Sequence, residues 1–215
     1  MKSGEIDVEG WSRRDHYRFF RAFERPHFSV CAEVEVTRAW ESSREGGKGA
    51  FNIAVLWSLL RAVNEVEAFR LRIRADGSVW LHERVGLGPT VLRDDGTFGF
   101  ARLPYVEGRA EFANHATTEL ARARAETGLP ADDPSQDDVV FQSTLPWIRF
   151  TSFTNAIPHR DDSIPRIVFG KFVREGEKMM MPVAVEVHHA VVDGRDVGEF
   201  FERFAEGRGV MSSRT

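Results

Sequence analysis

The sequence predicts an α/β fold in which helices pack on one mixed, largely antiparallel β-sheet, as a two-layer sandwich. Segments with the two-residue period of strands alternate along the chain with segments that have the 3.6-residue period of helices. Asp-Gly and Glu-Gly pairs join neighbouring strands and are typical of tight hairpin turns. The alternation favours layers of helix and sheet, and the hairpins indicate that many strands run antiparallel.

The first half of the chain predicts two helices, one long strand and a hairpin. The first helix is marked by aromatic residues at helical spacing and is ended by Pro26, and the second is apolar on most of its circumference. Asp76-Gly77 supplies the hairpin turn. We predict helices over residues 13–23 and 51–66, strands over 28–36, 71–74 and 79–83, and a glycine-rich loop over 41–50.

The second half predicts a further hairpin at Asp95-Gly96, a long helix, and a pair of long strands joined at Glu175-Gly176 before a closing amphipathic helix. We predict helices over residues 106–126 and 194–207, a polar loop over 127–138, a strand over 139–143 and two strands within 165–189. No linker or repeat divides the chain. We therefore expect one domain over residues 1–208, with a tail over 209–215.

Composition excludes several classes of function. The 215 residues are 42% hydrophobic, which is enough for a sizeable core, and 29 Lys and Arg stand against 33 Asp and Glu without basic runs. Nucleic acid is therefore not an expected partner. No stretch approaches the length of a bilayer span, and the acidic amino terminus does not fit a secretory signal. Because Cys31 is the single cysteine, no internal disulfide can form, and we expect a cytoplasmic protein without membrane contact.

The stretch "VEVHHAVVDG", residues 185–194, carries the candidate chemistry. Alternation along the predicted strand places His189 on the apolar face with Val187, and His188 on the opposite face. Neighbouring strand residues that point apart cannot easily hold one ion, so the pattern disfavours a metal site. A partly buried His189 would be neutral and able to act as a general base, although a satisfied core histidine fits the same position.

Asp193-Gly194 predicts a sharp turn from strand to helix beside His189. The turn places a carboxylate close to the imidazole. A buried carboxylate is costly unless a cation accompanies it, so we expect Asp193 to have a positively charged partner.

These residues resemble the chloramphenicol acetyltransferase family, and more distantly the wider superfamily of CoA-dependent acyltransferases. "HHAVVDG" followed by a helix resembles the family signature, "LPWIRFTSF" resembles its central Pro-Trp block, and "IDVEGWSRRDHYRFF" resembles its opening segment. Together the matching segments run in the family's order from Ile6 to about Phe204. The resemblance implies the CoA-dependent acyltransferase fold and transfer of an acetyl group from acetyl-CoA to a hydroxyl of chloramphenicol or a related compound, with no metal.

The resemblance also implies residue roles. His189 matches the family's general base, which removes the proton of the acceptor hydroxyl. Ser143 in "FQSTLPW" matches the serine whose hydroxyl stabilises the oxyanion. Asp193 matches a structural aspartate that pairs with an arginine two residues after a tryptophan, which is Arg13 here; its neighbour Arg14 is easily confused with it.

The family forms trimers with active sites between subunits, so the resemblance implies a homotrimer. Phe20 and Phe28 match positions that line the acceptor pocket, although each is equally compatible with a core position. Trp147 and Lys171 fall where the family contacts CoA. Lys48, in the glycine-rich loop, is a weaker candidate for the nucleotide phosphates, because exposed lysines usually bind nothing specific.

Three residues depart from the family near the site. Val192 stands where cysteine is usual, Val168 stands where many members have a threonine that helps to hold water beside the tetrahedral intermediate, and Phe172 replaces a tyrosine near the CoA path. Losing one hydrogen-bonded hydroxyl costs about 1 kcal/mol. This is compatible with a modest resistance enzyme or with another hydroxyl acceptor.

Two other functions are kept open by the sequence. The first is acyl transfer to a different acceptor, as in the lipoamide acyltransferases that share the His-x-x-x-Asp-Gly signature, although the chain shows no lipoyl domain or flexible linker. The second is a non-catalytic small-molecule binding trimer. Such a protein would tolerate loss of His189 and Ser143, and both are present.

Overall fold

The structure, a computed structural model, describes residues 2–47, 49–129 and 136–206. Strands and helices alternate through these ranges as the sequence predicts. The strands are β1 (Gly4–Ile6), β2 (His27–Glu35), β3 (Leu71–Ile73), β4 (Val79–Leu81), β5 (Gly86–Leu92), β6 (Phe98–Phe100), β7 (Val139–Thr144), β8 (Arg166–Phe169), β9 (Val173–Glu175) and β10 (Lys178–His188). The helices are α1 (Arg14–Arg21), α2 (Thr37–Ser43), α3 (Ala50–Glu65), α4 (Arg109–Ala125) and α5 (Gly194–Glu206), with a 3-10 helix at Glu67–Arg70.

One large sheet organises the molecule. Its strand order is β2-β10-β8-β7-β5-β6, and β9 pairs with the beginning of β10. The β8-β7 and β7-β5 pairs are parallel, whereas the other pairs are antiparallel. A small sheet, β1-β4-β3, joins the amino terminus to the first hairpin. The predicted α/β fold with a mixed sheet and packed helices is therefore confirmed.

The two faces of β10 pack against different partners. Val183, Val185 and Val187 are fully buried in the main core together with α3 and α5, and we call this side of the sheet the helix face. Ala184 is buried in a separate small cluster with Val168 and Phe150 on the opposite side, which we call the far face. Strict alternation of side chains along β10 produces this division.

The structure differs from the sequence predictions at short elements. The predicted loop over residues 41–50 begins inside α2, and the short strand β1 was not predicted. The first of the two long strands is broken at Gly170, where a Cβ would lie 2.5 Å from Pro182 Cγ and 2.9 Å from Ile148 O. At this break the Gly170 N–H still donates to Pro182 O of β10, but the next N–H, that of Lys171, donates to Ile148 O outside the strands. The three predicted turns are confirmed, since their second residues have the left-handed φ values that favour glycine: Gly77 (84°), Gly96 (83°) and Gly176 (61°).

Among the described helices, none combines the length and apolar character required to cross a membrane.

Candidate active site

His189 lies just beyond the end of β10, on the helix face. Its backbone N–H donates to Pro26 O at 2.9 Å, which attaches the turn to the residues before β2. The imidazole stacks on the Phe20 ring, with 3.8 Å between centroids and 13° between planes, and the Phe28 ring lies 4.6 Å away. The side chain is 31% exposed. The ring is therefore held by aromatic contacts and still reachable from outside.

The two ring nitrogens of His189 have different surroundings. Nδ1 lies 3.4 Å from Asp193 Oδ1 and is buried, without a hydrogen bond to any described residue. Because Nδ1 is buried, the exposed area of the side chain belongs to its other atoms. The nearby carboxylate favours a proton on Nδ1, which leaves the lone pair on Nε2 for proton transfer.

Asp193 and Arg13 form an ion pair beneath this histidine. Arg13 Nη1 donates to Asp193 Oδ2, and Arg13 Nη2 donates to His189 O at 3.4 Å. Burial pushes the pKa of Asp193 upward, but the hydrogen bond and positive charge of Arg13 outweigh burial and hold that pKa below its usual value. Arg14 instead contacts Asp15 at the surface, so Arg13 is the arginine that reaches the turn.

The turn between β10 and α5 is held by its own backbone and by the core. Val191 and Val192 are buried, and both donate their N–H groups to His188 O, at 3.1 and 3.0 Å. The Asp193 N–H donates to Asp196 Oδ2 at 2.7 Å, which satisfies a donor at the start of α5. These contacts fix the position of the Asp193 side chain relative to His189.

His188 points away from His189, as the alternation predicts. It is 1% exposed, its Nδ1 accepts the Ala190 N–H at 3.1 Å, and the His27 ring lies 5.0 Å away. Burial, and then the nearby His27, lower the pKa of His188 to about 4. Within the described parts of the chain, no three or more His, Cys, Asp or Glu side chains are grouped to hold a metal ion.

Ser143, near the end of β7, lies on the far face of the sheet. It is in register with Val168 of β8, Val168 is in register with Ala184 of β10, and Ala184 faces Cys31 of β2. On its other side, the Ser143 hydroxyl lies 2.8 Å from Thr90 Oγ1 of β5. Thr90 was not predicted from the sequence, because a threonine in a strand is ordinary and only the β5-β7 register places it beside Ser143.

Ser143 and His189 are not brought together within one chain. His189 is five positions beyond Ala184, which lies in the same cross-strand row as Ser143, and this is about 16 Å along the strand. The two strand spacings between β10 and β7 add about 10 Å across the sheet. The two side chains also lie on different faces, since His189 contacts Phe28, the register partner of Val187. Any chemistry that uses both residues requires a second chain.

A second group of predicted residues surrounds the exits of β7 and β8. Trp147 is 64% exposed. The Lys171 N–H donates at 2.8 Å to the carbonyl oxygen of Ile148, the residue that follows Trp147, so Trp147 and Lys171 lie in adjacent segments. Phe172 instead packs against the aromatic rings of Phe51 (4.6 Å) and Trp40 (5.6 Å). Lys48 lies outside the described residues.

The other predicted acceptor residues are divided between the two faces. Phe20 and Phe28 lie beside His189 on the helix face. Val168 lies beside Ser143 on the far face and is almost fully buried.

Comparison with known proteins identifies the family. The family model for chloramphenicol acetyltransferase matches residues 1–205. Chloramphenicol acetyltransferase 3 of Escherichia coli is 29% identical over 209 residues, covering 96% of this chain and 97% of its own length. The chloramphenicol acetyltransferase of Streptomyces acrimycini is 29% identical over 194 residues, covering 88% of this chain and 86% of its own length.

Solved structures agree with the sequence comparison. A chloramphenicol acetyltransferase structure that is 28% identical superposes with a TM-score of 0.87, covering 95% of this chain and 99% of its own. The dihydrolipoamide acetyltransferase of Azotobacter vinelandii, 17% identical, superposes with a TM-score of 0.64 over 89% of this chain and 84% of its own, which shows the same fold. With its sheet, its His189 turn and these full-length matches, the chain belongs to the chloramphenicol acetyltransferase family of acyltransferase enzymes.

Proposed function

We propose that this protein transfers the acetyl group of acetyl-CoA to a hydroxyl group of chloramphenicol or a closely related small molecule, in the cytoplasm. The observation that carries the proposal is the position of His189. Its ring is held by Phe20 and its Nδ1 is buried beside Asp193, while the side chain remains 31% exposed. An oriented, accessible imidazole nitrogen is what a general base for a hydroxyl requires.

In the proposed reaction, His189 Nε2 takes the proton of the acceptor hydroxyl as the hydroxyl oxygen attacks the thioester carbonyl carbon. The Ser143 hydroxyl donates a hydrogen bond to the resulting oxyanion. The intermediate then breaks its C–S bond, and the departing CoA sulfur recovers the proton from the imidazolium. The base contributes about 10²- to 10⁴-fold to the rate, and one oxyanion donor contributes about 3–4 kcal/mol to the barrier.

Arg13 and Asp193 support this reaction as positioning residues. The guanidinium contacts both the Asp193 carboxylate and the carbonyl oxygen of His189. It therefore ties the amino-terminal segment to the turn that carries the base. The negative charge of Asp193 close to Nδ1 also stabilises the imidazolium that forms during the reaction.

We propose a homotrimer with active sites between chains. The separation of Ser143 and His189 within one chain supports this assembly, because each site would combine Ser143 of one chain with His189 of its neighbour. Exposed apolar side chains also support it. Leu92, Phe98 and Phe100 lie together at the β5-β6 end of the far face and are exposed in the single chain. Contiguous apolar patches of this kind mark association surfaces.

Acetyl-CoA would lie along the segment of Trp147 and Lys171. An exposed indole and an exposed ammonium in adjacent segments suit the pantetheine arm and the phosphates of CoA. Phe172 and, outside the described residues, Lys48 would also contribute to CoA binding. Phe20 and Phe28 would line the acceptor pocket beside His189, and Val168 would line it beside Ser143.

The test is a thiol-release assay with purified protein, acetyl-CoA and chloramphenicol. Release that requires the drug, and that fails with 3-O-acetylated chloramphenicol as matched control, supports the proposal. His189→Ala should abolish release while the melting temperature stays within a few degrees of wild type; near-normal turnover would remove His189 from the role of base. Raised drug tolerance of a host that makes the protein is the expected consequence.

Other acceptors in the same reaction separate the alternatives. With dihydrolipoamide in place of the drug, transfer consumes one thiol for each one released, so free CoA and acetylated dihydrolipoamide are measured by chromatography; their formation would identify a lipoamide-type acceptor. Thiol release with another hydroxyl compound would keep the chemistry but change the substrate. A protein that binds the drug, yet releases no thiol with any acceptor, would be the non-catalytic binding trimer.

A further inference from the structure

We propose that Thr90 is a positioning residue for Ser143, and that its hydroxyl directs the Ser143 proton toward the oxyanion. This inference rests on the proposed function, because it concerns the donor that stabilises the tetrahedral intermediate. Thr90 lies on β5, one strand away from Ser143. It would act on the reaction through Ser143, without contact with the reacting atoms.

The contact is built by the sheet. Strands β5 and β7 run parallel, and their pairing ends with Pro89 opposite Gln142, so Thr90 and Ser143 are the next residues on the two strands. The two hydroxyl oxygens are 2.8 Å apart, which is an ordinary hydrogen-bond length for hydroxyl groups. The second acceptor near Thr90 Oγ1 is Gln142 O, at the longer distance of 3.3 Å. The shorter contact favours Thr90 as donor to Ser143.

A hydroxyl group has one proton to donate but can accept from more than one donor. When Ser143 accepts the Thr90 proton, that lone pair is occupied, and the Ser143 proton is directed elsewhere. On the other side of Ser143 the strand neighbour is Val168, which has no polar atom in its side chain. A hydroxyl that accepts a hydrogen bond also has a more polarised O–H bond, so the hydrogen bond that this hydroxyl donates is stronger. Both effects favour donation to an oxyanion.

The backbone of Ser143 is fixed by a different group. The buried Gln142 side chain donates through Nε2 to Ser143 O at 2.7 Å and to Thr144 Oγ1 at 2.9 Å. These bonds hold the peptide and leave the Ser143 hydroxyl free to rotate. Among the described side chains, Thr90 is the one that hydrogen-bonds to this hydroxyl. Gln142 therefore fixes the backbone of Ser143, and Thr90 sets the direction of the hydroxyl proton.

The experiment compares Thr90→Val, which keeps the shape but removes the hydroxyl, with Thr90→Ser, which keeps the hydroxyl. Turnover is measured by thiol release with chloramphenicol and by slow acetyl-CoA hydrolysis, in which water is the acceptor and the same oxyanion forms. We expect Thr90→Val to lower kcat about ten-fold with KM changed less than two-fold, as for loss of one orienting hydrogen bond. Thr90→Ser should retain near-normal kcat.

A double variant identifies the route of the effect. Because Thr90 acts through Ser143, adding Thr90→Val to Ser143→Ala should cause no further loss of kcat. Wild-type kcat in Thr90→Val, equal losses in the Val and Ser variants, or additive losses in the double variant would each overturn the inference while the proposed function stands. If the wild type is inactive on chloramphenicol, the acceptor assignment fails, and the role of Thr90 is then tested by the rate of acetyl-CoA hydrolysis. If hydrolysis is also absent, both proposals fail.

Discussion

Ser143 and His189 lie on opposite faces of the seven-stranded sheet. Ser143 shares the far face with Val168 and Ala184, whereas His189 packs on Phe20 and Phe28 at the helix face. One sheet therefore presents the proposed base and the proposed oxyanion donor in opposite directions. A trimer can use this geometry, because each interface can join the far face of one chain to the histidine turn of another.

Mixed oligomers should show that the two residues act in different chains. Ser143→Ala alone should keep about a hundredth or less of wild-type turnover, and His189→Ala alone should be inactive. When the two variants are produced together in equal amounts, about a quarter of the interfaces in random trimers will combine an intact serine with an intact histidine. We expect thiol release at about that fraction of wild-type activity.

The double variant Ser143→Ala/His189→Ala, produced with wild type under the same conditions, provides the control for expression and assembly. If the mixed single variants remain as inactive as either variant alone, both residues act within one chain and the interchain site is wrong.

Arg13→Ala should reduce both stability and activity. The substitution leaves the partly buried Asp193 carboxylate without its cation, and we expect a loss of about 1–3 kcal/mol in the free energy of unfolding, between the ranges for exposed and buried pairs. Urea unfolding and thiol release measure the two effects. Arg14→Ala is the matched control, because within the described part of the chain Arg14 forms its ion pair with the exposed Asp15. Equal effects of the two variants would contradict the role of Arg13.

Gly170→Ala should weaken acetyl-CoA binding. The added Cβ would lie 2.5 Å from Pro182 Cγ and 2.9 Å from Ile148 O, so the segment that carries Trp147 and Lys171 must shift. Overpacking of this kind costs about 1–3 kcal/mol, and the KM for acetyl-CoA should rise together with the loss of stability.

Gly198→Ala is the control for this substitution. Gly198 lies in α5, and an added Cβ would meet no atom within 4 Å. Its melting temperature should stay constant or rise, since alanine favours helix. An unchanged KM for acetyl-CoA in Gly170→Ala would show that the position of this segment does not affect acetyl-CoA binding, contrary to the prediction.

His188 should make the folded state sensitive to mild acid. Its pKa is about 4 when folded and about 6.5 when unfolded, so the unfolded state binds the proton more readily. The stabilisation is complete above pH 6.5 and is lost as the pH falls from 6.5 to 4, by roughly 2–4 kcal/mol. Urea unfolding at a series of pH values measures the loss.

His188→Asn tests whether this residue is responsible. Asparagine can still accept the Ala190 N–H but does not titrate. The variant should lose less stability over the same pH range than the wild type does. Parallel profiles for the two proteins would assign the acid sensitivity to other groups.

Much of the fold is visible in local patterns. The alternation of β10 and the apolar surface of α3 predicted elements that the structure has within a few residues, because both belong to a core that sequence periodicity reports directly. The break at Gly170 was not predictable, since it depends on contact with Pro182 and Ile148 from other segments. Likewise β1 has three residues, too few for a period to be recognised.

The candidate site was predictable only in part. The division of His188 and His189 between two faces follows from counting residues, and the turn at Asp193 follows from its Asp-Gly pair. Residue types alone cannot show that Thr90 lies against Ser143, because 53 residues separate them and their contact depends on a parallel register. Nor can they show that Ser143 and His189 are distant in one chain.

The amino-terminal segment has a practical importance for anyone who manipulates this protein. Strand β1 pairs with β4, and shortly after it come Arg13 and Phe20, which hold the Asp193 turn and cover the His189 ring. A cloned version that starts downstream of Arg13 would lose the ion pair with Asp193 and the hydrogen bond to His189 O, while keeping every residue of "HHAVVDG". Purification tags attached at this end need a spacer that leaves β1 in its small sheet.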